Sequence, residues 1–277
     1  MIDLHMHTTA SDGRLAPGEL VSRVAAAGIR IMSLTDHDTV AGLPDVRRAA
    51  DAAGITVVDG IEITAVHEGR DIHILGYFVD VSDQGLARFL QAQRARRVER
   101  VDEIAARLAA LGAGIDVTAL IATAARTAGT SVGRPVIARA LIAAGHAASM
   151  QDAFDRYLGQ GRPAFVPRVG PSPLDVLNMI HSARGIASMA HPGVTKQPAV
   201  MRALVKAGLD AIEVHHSDHI LELRHELHMY ATRHGLLETG GSDFHGDEDR
   251  DRPLGGVTLP AADFSRLEAA AHARRPQ

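Results

Sequence analysis

Histidines and carboxylates recur together at short spacing along this sequence, which contains 16 histidines among 277 residues. The motifs that carry them are His5-Met6-His7, Ser11-Asp12-Gly13, Thr35-Asp36-His37-Asp38, Gly60-Ile61-Glu62, Asp71-Ile72-His73, Ala190-His191-Pro192 and Ser242-Asp243-Phe244-His245. Imidazole and carboxylate groups together bind zinc, manganese and iron. The motifs therefore predict a site for divalent cations, provided that the fold brings them to one place.

Alternating strands and helices must position these motifs. Short apolar runs predict strands at residues 2–7, 30–35, 56–64, 71–78, 186–190, 211–215 and 237–240, with helical patterns between most of them. Glu68-Gly69 suits the tip of a hairpin between the third and fourth strands. The alternation is typical of βαβ units and a mainly parallel sheet. Seven strands with reactive residues near their ends favour an α/β fold of the barrel type over an open sheet.

Barrel geometry would bring the motifs together. His5 and His7 are two residues apart on the first predicted strand, so both side chains point to one face and Met6 points away. The carboxyl ends of the strands of an α/β barrel converge on one mouth. Carboxylates gathered in a partly buried mouth would repel one another without cations. This convergence favours a metal centre over the alternative that each histidine is only structural.

A helical segment interrupts the alternation. From about residue 97 to residue 163 the pattern indicates helices only, at 98–111, 117–124, 135–144 and 150–158. We expect residues 1–96 and 164–277 to form a β/α barrel that holds the metal centre. We expect residues 97–163 to form a small all-helical insertion that caps the barrel mouth.

Composition excludes several classes of protein. The chain has no cysteine, which excludes disulfides, thiolate metal sites and a cysteine nucleophile. A formal net charge of −4 and an aromatic content of 3% argue against binding to long nucleic acid, including long DNA. The sequence has no basic segment followed by an apolar one at its start and no apolar run of about 20 residues. We therefore expect a cytoplasmic protein without a membrane partner.

Taken together, the motifs resemble those of the PHP (polymerase and histidinol phosphatase) family of metal-dependent phosphoesterases over nearly the whole chain. The resemblance implies a distorted seven-stranded β/α barrel with a trinuclear metal centre. It implies a first ion, with its bound water, held by His5, His7, Glu62 and Asp243; a second held by Glu62, His73 and His191; and a third held by Asp12, His37 and His245.

The metal ions implied are two or three per chain, with manganese favoured and iron or zinc as alternatives. Some relatives have histidine where this chain has Asp12, and an oxygen ligand there favours manganese or magnesium at the third site. Asp36 is expected to lie behind the ligands and to orient a ligand imidazole.

Two sequence segments indicate one branch of this family. Residues 69–76 and 131–135 are similar to the branch that contains nucleoside 3′,5′-bisphosphate phosphatases and exonucleases that trim short RNA from the 5′ end. Members of that branch often have histidine after the Gly-Arg-Pro motif, where this chain has Val136. The resemblance implies a phosphomonoesterase that removes the 3′-phosphate of a small nucleotide by attack of a metal-bound hydroxide, giving a nucleoside 5′-monophosphate such as AMP.

The second phosphate of such a substrate requires its own cationic pocket. Arg134 is the first candidate, because a guanidinium binds phosphate oxygens in a bidentate manner. Arg162 and Lys196 are further candidates for substrate binding. His216 and His219 follow the sixth predicted strand, where they would contact the sugar or protonate the leaving group.

Three alternative functions stay open at this stage. One is a 5′–3′ exoribonuclease acting on short 5′-phosphorylated RNA, and another is a histidinol phosphatase with the same metals and a different pocket. A non-enzymatic alternative is a metal-binding scaffold module. No heptad pattern or strong apolar patch indicates an oligomeric state.

Overall fold

The computed structural model describes residues 1–118, 121, 131–246 and 252–274 of the chain. Its strands form one sheet in chain order: β1 (Ile2–Asp3), β2 (Ile31–Leu34), β3 (Thr56–His67), β4 (Arg70–Tyr77), β5 (Ile186–Met189), β6 (Ala211–His216) and β7 (Leu237–Gly241). The first strand also meets the last, since the Leu4 N–H donates to the Gly240 carbonyl at 3.1 Å. The sheet is therefore a nearly closed barrel of seven strands, as the sequence predicted.

Strand β4 runs opposite to all the others. It forms an antiparallel hairpin with β3 and pairs antiparallel with β5, whereas the remaining pairs are parallel. The hairpin turns at Glu68 and Gly69, where φ is 50° and 74°. Because β4 is reversed, His73 enters the barrel mouth from within its strand, opposite Thr64 on β3, rather than from a carboxyl end.

The helices surround this barrel. They are α1 (Pro17–Ala26), α2 (Leu43–Ala53), α3 (Gln84–Ala110), α4 (Arg134–Ala143), α5 (Met150–Ala153) with a following π-helical turn (Phe154–Leu158), α6 (Pro173–Ser182), α7 (Pro192–Thr195), α8 (Pro198–Lys206), α9 (Leu221–His234) and α10 (Ala261–Arg274). None of the helices in the described ranges has the length and apolar character needed to cross a membrane.

Helix α3 joins the barrel to the helical insertion. It begins after Asp83, whose side chain accepts the Leu86 N–H at 2.7 Å, and it runs for 27 residues. Its first half contributes Leu86 to the barrel core, and its second half contributes Leu108 to a separate core of the insertion. The boundary predicted at residue 97 therefore lies inside one continuous helix. The helix predicted at 117–124 falls largely outside the described residues.

The insertion lies against the loop that carries Asp12. The Ser131 N–H donates to the Ala10 carbonyl at 2.8 Å, and Arg139 Nη2 donates to the Asp12 carbonyl at 2.8 Å. Arg97 on α3 donates to the Val132 carbonyl at 3.1 Å. These bonds hold the start of α4 beside the barrel mouth, so the insertion can shape what enters it.

Barrel closure next to the mouth leaves no room for a side chain at Gly241. A Cβ there would lie 2.3 Å from the His5 backbone nitrogen and 2.6 Å from Asp3 Oδ1. We expect Gly241→Ala to lower the free energy of unfolding by about 1–3 kcal/mol, the usual cost of overpacking. The control is Gly18→Ala in α1, where nothing lies within 4 Å of the added Cβ and no loss is expected. Urea unfolding of both variants tests this, and equal stabilities would contradict it.

Candidate metal centre

Glu62 on β3 is the centre of a buried cluster at the barrel mouth. Its Oε2 lies 3.4, 3.3 and 3.2 Å from ring nitrogens of His5, His7 and His37. Its Oε1 lies 2.9 Å from His73 Nδ1 and 3.1 Å from His191 Nε2. The glutamate is 1% exposed. One carboxylate thus presents a separate oxygen to each of two groups of imidazoles, which suits a ligand that bridges two ions.

The four residues expected to hold the first ion, His5, His7, Glu62 and Asp243, lie together. Asp243 Oδ1 lies 3.3 Å from His5 Nε2 and 3.3 Å from His7 Nε2. Both imidazoles also face Glu62 Oε2. His5 and His7 are fully buried, as their shared face on the first strand requires. Two nitrogens and two carboxylate oxygens therefore point into one small space.

The third expected group forms around Asp12. Its Oδ1 lies 3.3 Å from His245 Nε2, and its Oδ2 lies 3.8 Å from His37 Nε2. His7 completes this group, with Nδ1 3.9 Å from Asp12 Oδ1. The structure therefore brings together all nine residues expected as metal ligands.

The donor chemistry of the cluster fits divalent metal ions. Ring nitrogens of His7, His37 and His73 are buried and make no well-aligned hydrogen bond with the described residues, although carboxylate oxygens lie 2.9–3.3 Å away. Buried polar atoms nearly always have a partner, so such orphaned atoms call for an explanation. A cation between these nitrogens and the carboxylates of Glu62 and Asp243 would supply it.

The charges of the cluster depend on one another. Burial raises the pKa of Glu62, but the imidazoles around it, His37 first, bring that pKa well below its usual range. Burial likewise raises the pKa of Asp243 and of Asp12, and neighbouring histidines hold both far below normal. These carboxylates are ionised at neutral pH and are ready to bind cations.

The imidazoles differ in protonation. Burial lowers the pKa of His7, but hydrogen bonding and charge from Asp243 and Glu62 raise it to about 10. Burial lowers the pKa of His37 to about 3, against the attraction of Glu62 and Asp12. His37 is thus neutral and able to ligate at once, whereas His7 must first lose a proton.

Glu213 on β6 supports two ligands and was not identified from the sequence. Its Oε1 lies 2.8 Å from His5 Nδ1, and its Oε2 accepts the His191 N–H at 2.7 Å. Burial raises the pKa of Glu213, but His5 and neighbouring imidazoles lower it to about 2. It therefore fixes the ring orientation of His5 as a carboxylate behind the metal site. The one sequence signal is a charged residue inside the apolar run 211–214.

Asp36 and Asp38 hold loops rather than imidazole rings. Asp36 accepts hydrogen bonds from the Thr8 backbone at 2.7 Å, the Thr8 hydroxyl at 2.6 Å and the Ser11 hydroxyl at 2.6 Å. The sequence predicted a contact between Asp36 and a ligand imidazole. Instead, donors of the turn at residues 8–11 occupy the carboxylate oxygens. Asp36 acts on the loop that ends at Asp12. Asp38 binds Arg97 Nε at 2.6 Å and the Thr64 N–H at 2.9 Å, so it connects β2, β3 and α3.

His216, the last residue of β6, and His219, three residues later, both contact other protein groups. The Asp218 N–H donates to His216 Nδ1 at 3.1 Å, which leaves His216 Nε2 to donate to Asp243 at 3.3 Å. His219 accepts the Gly193 N–H at Nε2 and contacts the Val214 carbonyl through Nδ1. His216 thus orients a ligand carboxylate, and both ring nitrogens of His219 are engaged. In this arrangement neither contact corresponds to the substrate-binding role predicted from the sequence.

A pocket of about 250 Å³ opens onto the cluster. Pro135 from the start of α4 lines it, and so does Arg252, which pairs with Asp243 and Asp218. Arg252 was missed by the sequence analysis, since nothing in its spacing distinguishes it from other arginines. It adds a cation at the pocket wall, next to a ligand carboxylate.

A pair of arginines contacts Asp71, two residues from His73 of the cluster. Arg134 Nη2 is 3.4 Å from Asp71 Oδ2, and Arg168 Nε is 3.1 Å from Asp71 Oδ1. Asp71 and His73 share one face of β4 because they are two residues apart. Arg168 was not identified from the sequence. Two guanidinium groups against one carboxylate leave this region basic.

The other predicted substrate-binding cations lie elsewhere. Arg162 is exposed after the π-helical turn, and Lys196 is exposed at the end of α7, where its φ is 51°. Among the described residues, no ion pair joins either side chain to the metal cluster. Both assignments stay predictions without support from the geometry.

Comparison with known proteins gives consistent matches. The model of the PHP domain family matches residues 3–158. The chain is 33% identical over 264 residues to the 3′,5′-nucleoside bisphosphate phosphatase of Chromobacterium violaceum, covering 92% of this chain and 90% of that protein. It is 38% identical over 248 residues to a 5′-3′ exoribonuclease of Haemophilus influenzae, covering 88% and 89%. The crystal structure of a proposed metal-dependent phosphoesterase of Bifidobacterium adolescentis has a TM-score of 0.88 at 31% identity, covering 97% and 95%.

The position of Glu62 between two groups of imidazoles predicts the effect of removing its negative charge. Glu62→Gln keeps the shape of the side chain and removes the charge that faces both groups of imidazoles. We expect the affinity for Mn²⁺ to fall by at least about 10–100-fold, the effect seen even for residues behind metal ligands. Mn²⁺ titration and the metal content after desalting measure this. Glu68→Gln at the exposed hairpin tip is the control, and a Glu62 variant that matches it would contradict the assignment.

The high pKa of His7, about 10, predicts proton release on metal binding. A ligand imidazole must be neutral, so an ion that binds His7 at neutral pH displaces a proton. The apparent affinity for Mn²⁺ should therefore rise with pH and fall as the solution becomes acidic. Calorimetric titration in two buffers with different enthalpies of ionisation measures the protons released. Identical heats in both buffers would show that no proton leaves.

Proposed function

The chain belongs to the PHP domain family of phosphoesterases, and we propose that it removes the 3′-phosphate from nucleoside 3′,5′-bisphosphates, leaving a nucleoside 5′-monophosphate. The observation that carries this proposal is the arginine pair, Arg134 and Arg168, next to the metal cluster. A bisphosphate has one phosphate to be hydrolysed and a second to be held. The cluster suits the first, and the arginine pair suits the second.

The geometry of the arginine pair is suited to binding an anion. Arg134 lies over the rings of Phe154 and Phe165, 5.8 and 5.7 Å from the ring centroids, which restrains its guanidinium. Asp71 holds both arginines from one side. A planar guanidinium can then present two donors to phosphate oxygens with little further loss of freedom. This supports binding of the 5′-phosphate at this position.

We propose two or three divalent ions per chain, with manganese as the favoured ion. When bound, such ions stabilise negative charge on phosphoryl oxygens and lower the pKa of a water molecule. Glu62 would hold two of them, and Asp12 would contribute to a third. Glu213 and His216 would keep His5 and Asp243 in place as the ions bind. Arg252 at the pocket wall is suited to contact a phosphate oxygen or the leaving group.

A 5′–3′ exoribonuclease on short RNA is the second candidate. The chain aligns with 89% of the exoribonuclease of Haemophilus influenzae and with 90% of the phosphatase relative, so both are similar to it over nearly their whole length. The arginine pair would hold the 5′-phosphate of an oligonucleotide as it holds that of a bisphosphate. Histidinol phosphate has no second phosphate, so that substrate would leave the pair unused. A scaffold is disfavoured, since every expected ligand position carries a donor.

Phosphate release from four compounds tests the proposal. We expect the Mn²⁺-reconstituted protein to release phosphate from adenosine 3′,5′-bisphosphate and to leave AMP, which it should not hydrolyse further. Histidinol phosphate and a 5′-phosphorylated dinucleotide complete the set. Preference for histidinol phosphate would overturn the substrate. Faster release of mononucleotide from the dinucleotide would favour the exoribonuclease.

The role of Arg134 has its own test. Loss of a hydrogen bond between charged groups costs about 1.5–3 kcal/mol, so Arg134→Ala should raise KM for the bisphosphate on the order of 10–100-fold. The value of kcat should change less, because the reacting phosphate lies at the metal cluster. Arg162→Ala, at an exposed position, is the matched control. Equal KM values for both variants would place the second phosphate elsewhere.

A further inference from the structure

A second cluster of histidines and carboxylates lies apart from the barrel mouth. His215 Nε2 and carboxylate oxygens of Glu238 and Asp263 all lie within 4.8 Å of one another. His215 Nε2 is 3.6 Å from Glu238 Oε2, and His228 Nδ1 is 2.7 Å from Glu238 Oε1. Three potential ligands, His215, Glu238 and Asp263, thus lie close together, and His228 contacts the other oxygen of Glu238.

Each of these residues comes from a different element. His215 belongs to β6, Glu238 to β7, His228 to α9 and Asp263 to the first turn of α10. A register shift in β6 between Glu213 and His215 separates this side chain from the residues that face the central cluster. An ion held by His215, Glu238 and Asp263 would tie two strands and helix α10 together.

The cluster is incompletely satisfied by the described residues alone. Glu238 and Asp263 are 6% and 9% exposed, so two carboxylates are buried close together. His215 Nε2 is buried and has no hydrogen-bond partner in the described part of the chain. A buried ring nitrogen without a partner is rare. A cation between this nitrogen and the two carboxylates would supply the missing partner.

Arg266 is the competitor for this position. It pairs with Asp263 three residues earlier on α10, but its side chain is 63% exposed. Ion pairs at exposed positions contribute little to stability, because solvent screens them and the long side chain must be ordered. An incoming divalent ion can therefore displace Arg266 at small cost.

We propose that His215, Glu238 and Asp263 bind a zinc ion at a site that is separate from the barrel mouth. One imidazole and two carboxylates are ligands that zinc accepts, the two carboxylates neutralise its charge, and a fourth position is left for water. His228 is half exposed, which gives the ion a route from solvent. The proposal is independent of the substrate and of the reaction at the barrel mouth.

Zinc stoichiometry tests the site. Wild-type protein, His215→Ala and Asp263→Asn are loaded with Zn²⁺, desalted and analysed for metal content. Each variant should retain one zinc ion fewer per chain than the wild type. The control is His225→Ala, an exposed histidine on the same helix as His228, which should retain the wild-type content. Equal zinc content in all four proteins would overturn the proposal.

A second set of variants distinguishes this site from the metal centre at the barrel mouth. In a Glu62→Gln background, which weakens the central sites, one zinc ion should remain and should be lost when His215→Ala is added. Circular dichroism in the presence of a chelator checks that each variant folds, and Asp263→Asn decides alone if His215→Ala does not. Retention of the last ion after His215→Ala, or after Asp263→Asn in that case, would contradict the site.

Discussion

The structure depends on the burial of one ionised carboxylate, Glu62, among five imidazoles. A buried charge of this kind is tolerated only when it is compensated. The surrounding rings provide part of the compensation, and their pairwise contacts of 2.9–3.4 Å show how closely they approach. Several of these ring nitrogens make no well-aligned hydrogen bond with the described residues. Cations bound between them and the carboxylates would complete the charge balance, and the rest of the barrel mouth would hold their ligands.

The backbone is strained at three residues that follow strand ends near the barrel mouth. Asp38, His191 and Asp243 follow the ends of β2, β5 and β7, and all have a positive φ, at 53°, 28° and 54°. Such conformations cost energy for residues other than glycine and persist where the surrounding structure fixes them. Glu213 fixes the His191 backbone, and Arg97 fixes Asp38. Strain of this kind turns each strand end sharply. His191 and Asp243 then face the barrel mouth, whereas Asp38 faces Arg97 and Thr64.

The ligand motifs were predictable because they are local. The two-residue spacing of His5 and His7 determines a shared face, and strand ends converge in any barrel of this class. The supporting residues were not predictable in the same way. Glu213, Arg168 and Arg252 owe their roles to contacts between residues distant in sequence, and their neighbours in the sequence carry no motif. The hairpin turn at Glu68 and Gly69 was predicted, and it accounts for the reversed direction of β4 in an otherwise parallel sheet.

We infer that Glu62 bridges two metal ions at the mouth of the barrel. Electron paramagnetic resonance of the protein loaded with Mn²⁺ distinguishes bridged ions from separate ones, since two ions that share a bridging ligand are magnetically coupled. We expect the spectrum of an exchange-coupled pair at saturating Mn²⁺, and loss of that coupling when Glu62 is replaced by glutamine. A spectrum of magnetically isolated Mn²⁺ ions in the saturated wild-type protein would contradict it.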